Sequence, residues 1–538
     1  MTILQALDGY YGRMAARGEA EAPGFSRAKI RFAIVLAPDG QPVQVVDLRE
    51  QVGRKLQPRL LDVPAAPTRA SAIQPNLFWD KTAYVLGRTA GPSHRTAREH
   101  SAFKERHLAL LAHTSDEGLL ALRSFLETWA PERFDAPPFT AEMLDSNVVF
   151  RLDGEHSYIH QREAARAIVE AQSGEDGARA ICLITGAEAP LQRLHPSIKG
   201  VQGAQSSGAA LVSFNLDAFT SYGKTQGENA PTSQTAAFRY GAALNRMLDR
   251  GSSNRLPQPI GDATVVFWAD ASGAKEDEAR AAEDFFAAML APAGADDPQR
   301  DLEHAATLRD RLLQVAQGRP LQEIDPRLDE GVRFHVLGLS PNAARLSVRF
   351  WITDEFGAFA RRIAQHHADL AIVPSPWRGP PSVLRLLVKT TALLEKFDNI
   401  PPLLAGEVMR AILSGSLYPR TLLATALIRL RAGDDAGAGW HAAVIRAVLA
   451  REQRLKHHRE DPPVSLDREN ASPAYQLGRL FAMIEIAQRV ALGKVNATVR
   501  DRYYGAASAT PATVFPLLLR GAQNHLARLR KDGKGGWI

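Results

Sequence analysis

Hydrophobic residues near the amino terminus follow first a helical and then a strand-like spacing. Within residues 2–17 they recur on one helix face, at Ile3, Leu4, Leu7, Tyr10, Tyr11 and Met14. The next run, IRFAIVLAPDGQPVQVVDLRE, has two β-branched segments on either side of Pro38-Asp39-Gly40. Because proline fixes φ and glycine accepts a positive φ, this turn predicts a β-hairpin. Residues 95–128 have a helical pattern that ends near Pro131.

The middle of the chain alternates short strand-like runs with long polar loops. Runs at 181–185, 210–215 and 264–270 predict strands, and a loop region rich in glycine and serine occupies 186–233. After a charged region of helices and linkers at 274–325, FHVLGLSPNAARLSVRFW predicts two strands, and a helix starts near Asp354. This β-β-α order is typical of an α+β sheet with helices on one face.

Beyond residue 383 the pattern becomes helical. Six segments have apolar residues at a spacing of about 3.6, and turn residues separate most of them: 383–396, 403–416, 419–431, 439–457, 473–492 and 511–530. Their short connections predict antiparallel neighbours. The sequence therefore predicts an α+β protein. An N-terminal mixed α/β domain with small β-sheets and long loops covers 1–380, and a C-terminal α-helical bundle covers 381–538.

The composition is that of a folded protein, and charge is divided unevenly along it. The 538 residues are 45% hydrophobic and include one cysteine, which excludes a disulfide framework and a cysteine-rich metal site. Residues 1–110 hold 16 basic and 10 acidic side chains, residues 111–408 hold 29 and 39, and residues 409–538 hold 20 and 10. Basic ends around an acidic centre point to polyanion binding more than to enzyme chemistry, and a solvated surface with uneven charge is an equally open alternative. Without a signal peptide or membrane-spanning run, we expect a cytoplasmic protein with no membrane contact.

The sequence matches known catalytic and metal-binding motifs poorly. Gly223-Lys224-Thr225 resembles the end of a phosphate-binding loop, but that motif needs glycine where Ala218 stands. His366 and Asp369 have the spacing of one helix face, while His367 points elsewhere, so we expect a surface or capping role for them. The sequence therefore predicts no catalytic residue, no metal and no cofactor, and hence a protein that is not an enzyme.

Residues 68–88, TRASAIQPNLFWDKTAYVLGR, combine amides and cations with aromatic rings. Amide side chains can pair with an adenine edge, and lysine or arginine can bind phosphates or guanine. The proline between Gln74 and Asn76 disfavours a helix, so both amides could project from a rigid turn. For the amides and cations, base contact and a turn or capping role stay equally open. For three rings we favour core packing: Phe78, Trp79 and Tyr84.

The loop region rich in glycine and serine supplies a second set of candidates. Its glycines expose backbone amides, and its amide and lysine side chains add hydrogen-bond donors, which suits a groove for a phosphate backbone. The alternative is a flexible linker without a ligand. The candidates are Lys199, Gln202, Gln205, Asn215, Tyr222, Lys224, Gln226 and Asn229.

Several long motifs resemble one protein family. TILQALDGYY, SAIQPNLFWDKTAYVLG, HPSIKGVQGAQSSGAALVSFNLDAFTSYGKTQGENAP and VMRAILSGSLYPRTLLATALIRLR resemble the large subunit of the type I-C CRISPR Cascade surveillance complex. The resemblance implies a non-catalytic subunit that reads the protospacer-adjacent motif on double-stranded DNA, promotes strand separation and R-loop formation, and helps to recruit a helicase–nuclease. The implied partners are the crRNA-guided backbone and crRNA-end-binding subunits and a small helical subunit. The C-terminal bundle would lie near the displaced strand.

The same resemblance implies roles for particular residues. Gln74 and Asn76 would approach the motif base pairs, and Arg69 and Lys81 would hold nearby phosphates. Contact with DNA, or packing beside it, is implied for Lys199, Asn215, Tyr222, Lys224 and Asn229. A small subunit would come from an internal start near Met409 or Val408, unless Met409 is only a core residue. Two other functions stay open, a nucleotide-binding ATPase built on the GKT loop and a generic nucleic-acid-binding adaptor.

Overall fold

The computed structural model describes residues 1–52, 55–67, 69, 72–91, 93–172, 178–271, 276–290, 298–391, 399–493 and 495–534. The strands are β1 (Phe25–Ile30), β2 (Phe32–Leu36), β3 (Pro42–Asp47), β4 (Glu50–Val52), β5 (Lys55–Gln57), β6 (Arg59–Pro64), β7 (Trp79–Lys81), β8 (Asn147–Leu152), β9 (Arg179–Ile181), β10 (Glu188–Pro190), β11 (Ser197–Ile198), β12 (Ala209–Ala210), β13 (Thr264–Ala269), β14 (Arg333–Asn342) and β15 (Arg345–Glu355).

The helices are α1 (Ile3–Ala16), α2 (Thr82–Val85), α3 (Thr96–Leu110), α4 (Glu117–Thr128), α5 (Glu163–Gln172), α6 (Gln234–Leu248), α7 (Glu276–Leu290), α8 (Pro298–Ala316), α9 (Leu321–Ile324), α10 (Phe356–Asp369), α11 (Val383–Lys389), α12 (Pro402–Ser414), α13 (Arg420–Arg431), α14 (Trp440–Glu452), α15 (Pro473–Leu492), α16 (Val499–Ala509) and α17 (Pro511–Lys531). Small sheets in the N-terminal half and helices in the C-terminal region confirm the α+β class.

The chain divides into two compact units. Unit 1 consists of Met1–Ile198 and Ala210–Arg246, and unit 2 consists of Lys199–Ala209 and Met247–Ile538. The boundary that the sequence predicts between residues 380 and 381 lies inside unit 2, where helices on both sides of it share one hydrophobic core. The domain boundary between residues 380 and 381 therefore stays a prediction.

Unit 1 is organised around a four-stranded sheet of order β3-β2-β8-β7. Strand β2 pairs antiparallel with β3 and parallel with β8, and it is buried along its whole length. The predicted hairpin is confirmed, and Gly40 turns it at φ +85°. A Cβ at Gly40 would lie 2.5 Å from the backbone nitrogen of Phe125 in α4, so glycine lets the turn touch that helix. The predicted helix at 2–17 is confirmed as α1.

Three element predictions in unit 1 need correction. The helix predicted over 95–128 is two helices, α3 and α4, separated by a turn at 111–116. The strands predicted at 181–185 and 210–215 are wrong beyond Ile181 and Ala210, where β9 and β12 end. The chain reverses direction directly after Ile181. The backbone N–H of Cys182 donates to the main-chain oxygen of Ala187 (2.8 Å), and Gly186 in this turn has a positive φ.

Unit 2 contains three long antiparallel strands, β13, β14 and β15, as the sequence predicts. Alternate residues of these strands, such as Phe267 and Phe334, pack with Phe286 of α7 and Phe359 of α10. The same core continues into α11–α14. The chain's last three helices, α15–α17, have a smaller core of their own around Phe481.

Most of the helices predicted beyond residue 383 are confirmed, as α11–α15 and α17. The end of the first predicted segment, 392–396, lies outside the described residues. The pattern missed α16, whose sequence VRDRYYGAASA is dominated by small and polar residues and buries only Val499 and Ala507. Of the helices that the structure describes, none is long and apolar enough to cross a bilayer.

A buried ion cluster links α10 to the end of α14. Asp369 is fully buried and accepts hydrogen bonds from Arg451 Nε (3.0 Å) and Arg454 Nη2 (2.6 Å). The nearby His366 is 1% exposed, and its Nδ1 lies 2.7 Å from the Tyr418 hydroxyl. The surface or capping role expected for His366 and Asp369 is therefore wrong, because a buried carboxylate between two arginines is an internal support of the fold.

Candidate nucleic-acid interface

A braced loop precedes β7, and we call residues 72–78 the Gln74 loop. Arg69 Nε donates to the main-chain oxygen of Gln74 (2.6 Å), and Arg69 Nη2 donates to Oδ1 of Asn76 (2.8 Å). The same guanidinium forms an ion pair with Asp80, with Nη1 and Oδ1 at 3.1 Å. Asp80 also accepts the backbone N–H of Asn76 (2.9 Å). One arginine and one carboxylate thus fix the loop backbone.

The side chains around the Gln74 loop divide into buried and exposed groups. Asn76 is 3% exposed and Asp80 1%, while the Arg69 side chain is 26% exposed. Gln74 and Lys81 are both exposed. Gln74 and Lys81 can therefore meet an external ligand, whereas Asn76 and Arg69 support the loop. The predicted base contact of Asn76 stays a prediction, and it would require the loop to open.

Helix α3 supports the same loop from the protein interior. Arg106 Nη1 donates to the main-chain oxygen of Pro75 (2.7 Å), and the backbone N–H of Phe78 donates to Nε2 of His107 (2.9 Å). His107 Nδ1 bonds to the oxygen of Phe103 (2.7 Å), so these partners require a neutral ring protonated at Nδ1. Burial lowers the pKa of His107 to about 4, which maintains that state at neutral pH.

The three aromatic rings of this segment are core residues, as expected from the sequence. Phe78 is 0% exposed, and Trp79 and Tyr84 are each 5% exposed. The Arg69 guanidinium also lies over the Tyr84 ring, with the guanidinium carbon 4.3 Å from the ring centroid. This cation–π contact adds to the bracing of Arg69.

Sequence reasoning missed the residues that hold the Gln74 loop in place, namely Asp80, Arg106 and His107. Asp80 had a usable signal, because it follows Leu77, Phe78 and Trp79, and a carboxylate within such an apolar run needs a cationic partner. Arg106 and His107 had no signal in the sequence, because they are far from the loop along the chain and their contact with it exists only in the folded structure.

A second braced loop lies in the region rich in glycine and serine, and we call residues 221–229 the Tyr222 loop. Its tip is a turn in which Lys224 N–H bonds to the oxygen of Ser221 (2.9 Å). Tyr222 (φ +52°) and Gly223 (φ +72°) occupy the two central positions, as in a type I′ turn. The Tyr222 side chain is 98% exposed, and Lys224 is exposed beside it.

Asn229 holds this turn closed. Its Oδ1 accepts the backbone N–H of Ser221 (3.2 Å), and its Nδ2 donates to the oxygens of Lys224 (3.2 Å) and Gln226 (3.1 Å). Thr225 and Glu228 add a capping box to the following 3-10 helix, Gln226–Asn229. Asn229 is thus placed as a support for the loop, while Tyr222 and Lys224 are presented to solvent.

The Tyr222 loop is anchored to the rest of unit 1 by a close backbone approach. Gly227 N–H bonds to the oxygen of Arg193 (3.1 Å), and a Cβ at Gly227 would lie 2.1 Å from the oxygen of Gln192. Only glycine fits there without a shift of the backbone. The loop is therefore a built feature of unit 1, unlike a flexible linker.

Lys199 and Asn215, two further candidates from the sequence, are exposed and lie outside these loops and the residues that brace them. Lys199 begins the part of unit 2 at Lys199–Ala209, next to Gly200 at φ +88°. Asn215 accepts a long hydrogen bond from Ser213 Oγ (3.5 Å). Of the nine proposed DNA-binding residues, five thus lie in the two braced loops, and Arg69 and Lys81 lie beside the Gln74 loop.

The C-terminal helix α17 has a basic exposed face. Its four lysines and arginines are accompanied by no acidic residue. Positions 520, 524, 528 and 531 follow helical spacing and are exposed, which places Arg520, Asn524, Arg528 and Lys531 along one side. Such a face attracts a phosphate backbone.

The GKT sequence does not have the surroundings of a phosphate-binding loop. A P-loop leads from a strand into an α-helix, whereas Lys224-Thr225 leads from a turn into a four-residue 3-10 helix. Among the described residues, no cluster of three or more histidine, cysteine, aspartate or glutamate residues could hold a metal ion.

Comparison with known proteins identifies the family. A search of curated proteins finds no match to the chain. The family model described as CRISPR-associated protein (Cas_Csd1) matches residues 7–538, which is nearly the whole length. The chain therefore belongs to the CRISPR-associated Csd1 family and is a Cascade-type CRISPR protein.

Proposed function

We propose that the chain is the non-catalytic large subunit of a type I-C, RNA-guided DNA-binding complex. It reads the protospacer-adjacent motif on double-stranded target DNA, promotes strand separation and R-loop formation, and helps to recruit the helicase–nuclease. Its partners are the crRNA, the backbone and crRNA-end-binding subunits and the small helical subunit. Guide pairing reads the remaining sequence, so this protein needs few base contacts.

The Gln74 loop is the observation that carries this proposal. Reading a base edge requires an amide whose position is fixed before DNA arrives, because ordering a mobile loop would consume binding energy. The Arg69–Asp80 pair fixes the backbone on both sides of Pro75, while the Gln74 side chain stays exposed. Lys81, also exposed, is suited to an adjacent phosphate.

The charge distribution supports a second part of the proposal. The basic exposed face of α17 belongs to a segment, residues 409–538, with 20 basic and 10 acidic side chains. The displaced single strand carries a negatively charged phosphate backbone, and such a face attracts it electrostatically without regard to sequence. Lys199 and Lys224 are proposed to contact phosphates elsewhere on the nucleic acid.

The proposal is tested with the assembled complex on duplexes that carry either the motif or a scrambled sequence. Gln74→Ala should weaken binding to motif DNA by about 1–3 kcal/mol, since one bidentate base contact is lost. Binding to scrambled DNA should not change. Gln57→Ala removes another exposed glutamine of unit 1 and should leave both affinities unaltered.

Lys81→Ala in the same assay separates phosphate contact from base reading. It should weaken both duplexes alike and reduce the slope of log K against log salt by about one. Equal losses on both duplexes for Gln74→Ala would contradict the base-reading role. Motif-independent binding by the wild-type complex would refute the proposed function itself.

A further inference from the structure

The Tyr222 side chain is displayed at the tip of a braced loop where it contributes nothing to folding. It is 98% exposed, although burying a tyrosine ring is among the larger favourable contributions a side chain can make. Its φ of +52° is uncommon for a bulky residue, and glycine would normally occupy such a position. An unfavourable backbone conformation that is held in place by several hydrogen bonds indicates a functional role for the residue at the tip of the loop.

The bracing fixes where the ring stands. Asn229 bonds to Ser221, Lys224 and Gln226, and Gly227 anchors the loop base to Arg193. The ring is therefore carried on a backbone that is ordered before any ligand binds. Pre-ordering of this kind lowers the entropic cost of a single-residue contact.

The surroundings of the ring indicate the chemistry of its ligand. The Tyr222 loop, SYGKTQGEN, holds one lysine and no second large apolar side chain, and its one carboxylate, Glu228, accepts the backbone N–H of Thr225 (2.8 Å). An aromatic anchor for a protein pocket is normally surrounded by further contacts that exclude water. One aromatic ring beside one cation is instead the combination that binds unpaired nucleic acid, by stacking on a base and pairing with a phosphate.

We propose that Tyr222 stacks on an unpaired nucleobase and that Lys224 pairs with a neighbouring phosphate. This inference rests on the proposed function, which brings both a guide RNA and separated DNA strands to the protein. The base belongs to the guide, the target strand or the displaced strand, and all three present the same π face. Because stacking does not read hydrogen-bond patterns, the contact is independent of base identity.

The test uses the assembled complex with 5-iodouracil at successive positions of the guide, the target strand or the displaced strand. Irradiation joins this base to an aromatic ring stacked on it, and we expect an adduct on the peptide that contains Tyr222 from one of the three strands. That strand identifies the source of the base. Lack of an adduct from all three would overturn the inference.

Affinity measurements give an independent readout. Tyr222→Leu keeps an apolar side chain but removes the ring, and it should weaken R-loop formation about 5- to 150-fold. Tyr222→Phe keeps the ring and should match the wild type. Equal behaviour of the Leu and Phe variants would overturn the inference.

Three further outcomes are distinguishable. If the Tyr222→Leu chain fails to enter the complex on size-exclusion chromatography, the ring docks in a protein pocket and the inference is wrong. If the wild-type complex binds motif and scrambled DNA equally, the proposed function fails. If motif-dependent binding is intact and both Tyr222 readouts are negative, the stacking inference alone fails.

Discussion

The Gln74 loop and the Tyr222 loop are both braced by hydrogen bonds, but the bracing groups differ in charge and burial. The first depends on a charged pair, Arg69 and Asp80, whose carboxylate is 1% exposed. The second depends on a neutral amide, Asn229, and on a glycine that permits backbone contact. Removing one member of a buried charged pair is costly for the whole fold, whereas losing neutral bonds at the surface costs less.

This difference suits the two proposed tasks. A loop that reads base edges needs a fixed backbone from which its amide projects, and the buried pair holds the backbone on both sides of Pro75. A ring that stacks on any base tolerates small displacements, and a locally held tip is sufficient. The two loops should therefore respond very differently to substitution.

Asp80→Ala should have the largest effect on stability. It removes the buried partner of Arg69 and the acceptor of the Asn76 N–H, and losing one member of a buried pair costs about 3–5 kcal/mol. Since Arg69 is 26% exposed and can be rehydrated, we expect a loss near the lower end, about 3 kcal/mol, in urea-induced unfolding.

Asp47→Ala is the matched control for Asp80. Asp47 also pairs with an arginine, Arg49 (2.7 Å), but its side chain is 45% exposed. Surface pairs contribute about 1 kcal/mol or less, so this variant should unfold almost like the wild type. Similar losses for the two variants would show that burial does not distinguish the bracing of the Gln74 loop.

Acidification should weaken the support of the Gln74 loop through His107. Its pKa falls from 6.5 to about 4 on folding because the ring is buried. Below pH 6.5 the unfolded chain binds a proton that the folded chain excludes, so the free energy of unfolding decreases until pH 4. This one residue accounts for about 3 kcal/mol, at about 1.4 kcal/mol per pKa unit.

The check is a series of urea titrations of wild-type and His107→Phe chains between pH about 7 and about 4.5. The variant should be less stable at neutral pH, because the Phe78 N–H loses its acceptor, but its stability should depend less on pH. Parallel pH profiles would show that the neutral ring of His107 does not carry this contribution.

Among the substitutions that remove a brace, Gly227→Ala should have the smallest effect on stability, and its effect on structure should be local. The new Cβ would lie 2.1 Å from the Gln192 oxygen, and relief of such overpacking costs about 1–3 kcal/mol. We expect the Tyr222 loop to separate from residues 192–193, with faster hydrogen exchange at Gly227 and unchanged exchange in the Gln74 loop. Gly9→Ala has open space around the new methyl group and should be neutral or stabilising. Unchanged exchange at Gly227 would contradict the anchoring.

Periodicity predicted the elements that are long and amphipathic. Helix α1, the β2–β3 hairpin and the β14–β15 pair each have a regular apolar spacing and a clear turn or cap. It failed where local hydrogen bonds override apolar content, as at Cys182–Ala187, and where a helix such as α16 buries little. Packing of α11–α14 on the sheet of unit 2 depends on distant contacts and has no signature in the sequence.

The candidate site was predicted by residue type but not by role. The sequence pointed to these two loops, because amides, lysines and glycines cluster there, and their contact with nucleic acid stays a prediction. It could not separate Gln74, which is exposed, from Asn76, which is buried, since both have the same side-chain chemistry. Likewise, the sequence named both Asn229 and Tyr222 as ligand candidates. In the structure Asn229 bonds to the loop backbone, whereas the Tyr222 side chain is exposed to solvent.

The ion cluster between α10 and α14 has a consequence for the predicted short product that begins near Met409. Such a product would contain Arg451 but not Asp369, its buried carboxylate. The main-chain oxygens of Ala411 and Ser416 would still accept its hydrogen bonds, but they carry no net charge to balance it. One reading frame would then encode the same helices in two proteins. In the long chain the charge of Arg451 is balanced by Asp369, and in the short chain it has no carboxylate to balance it.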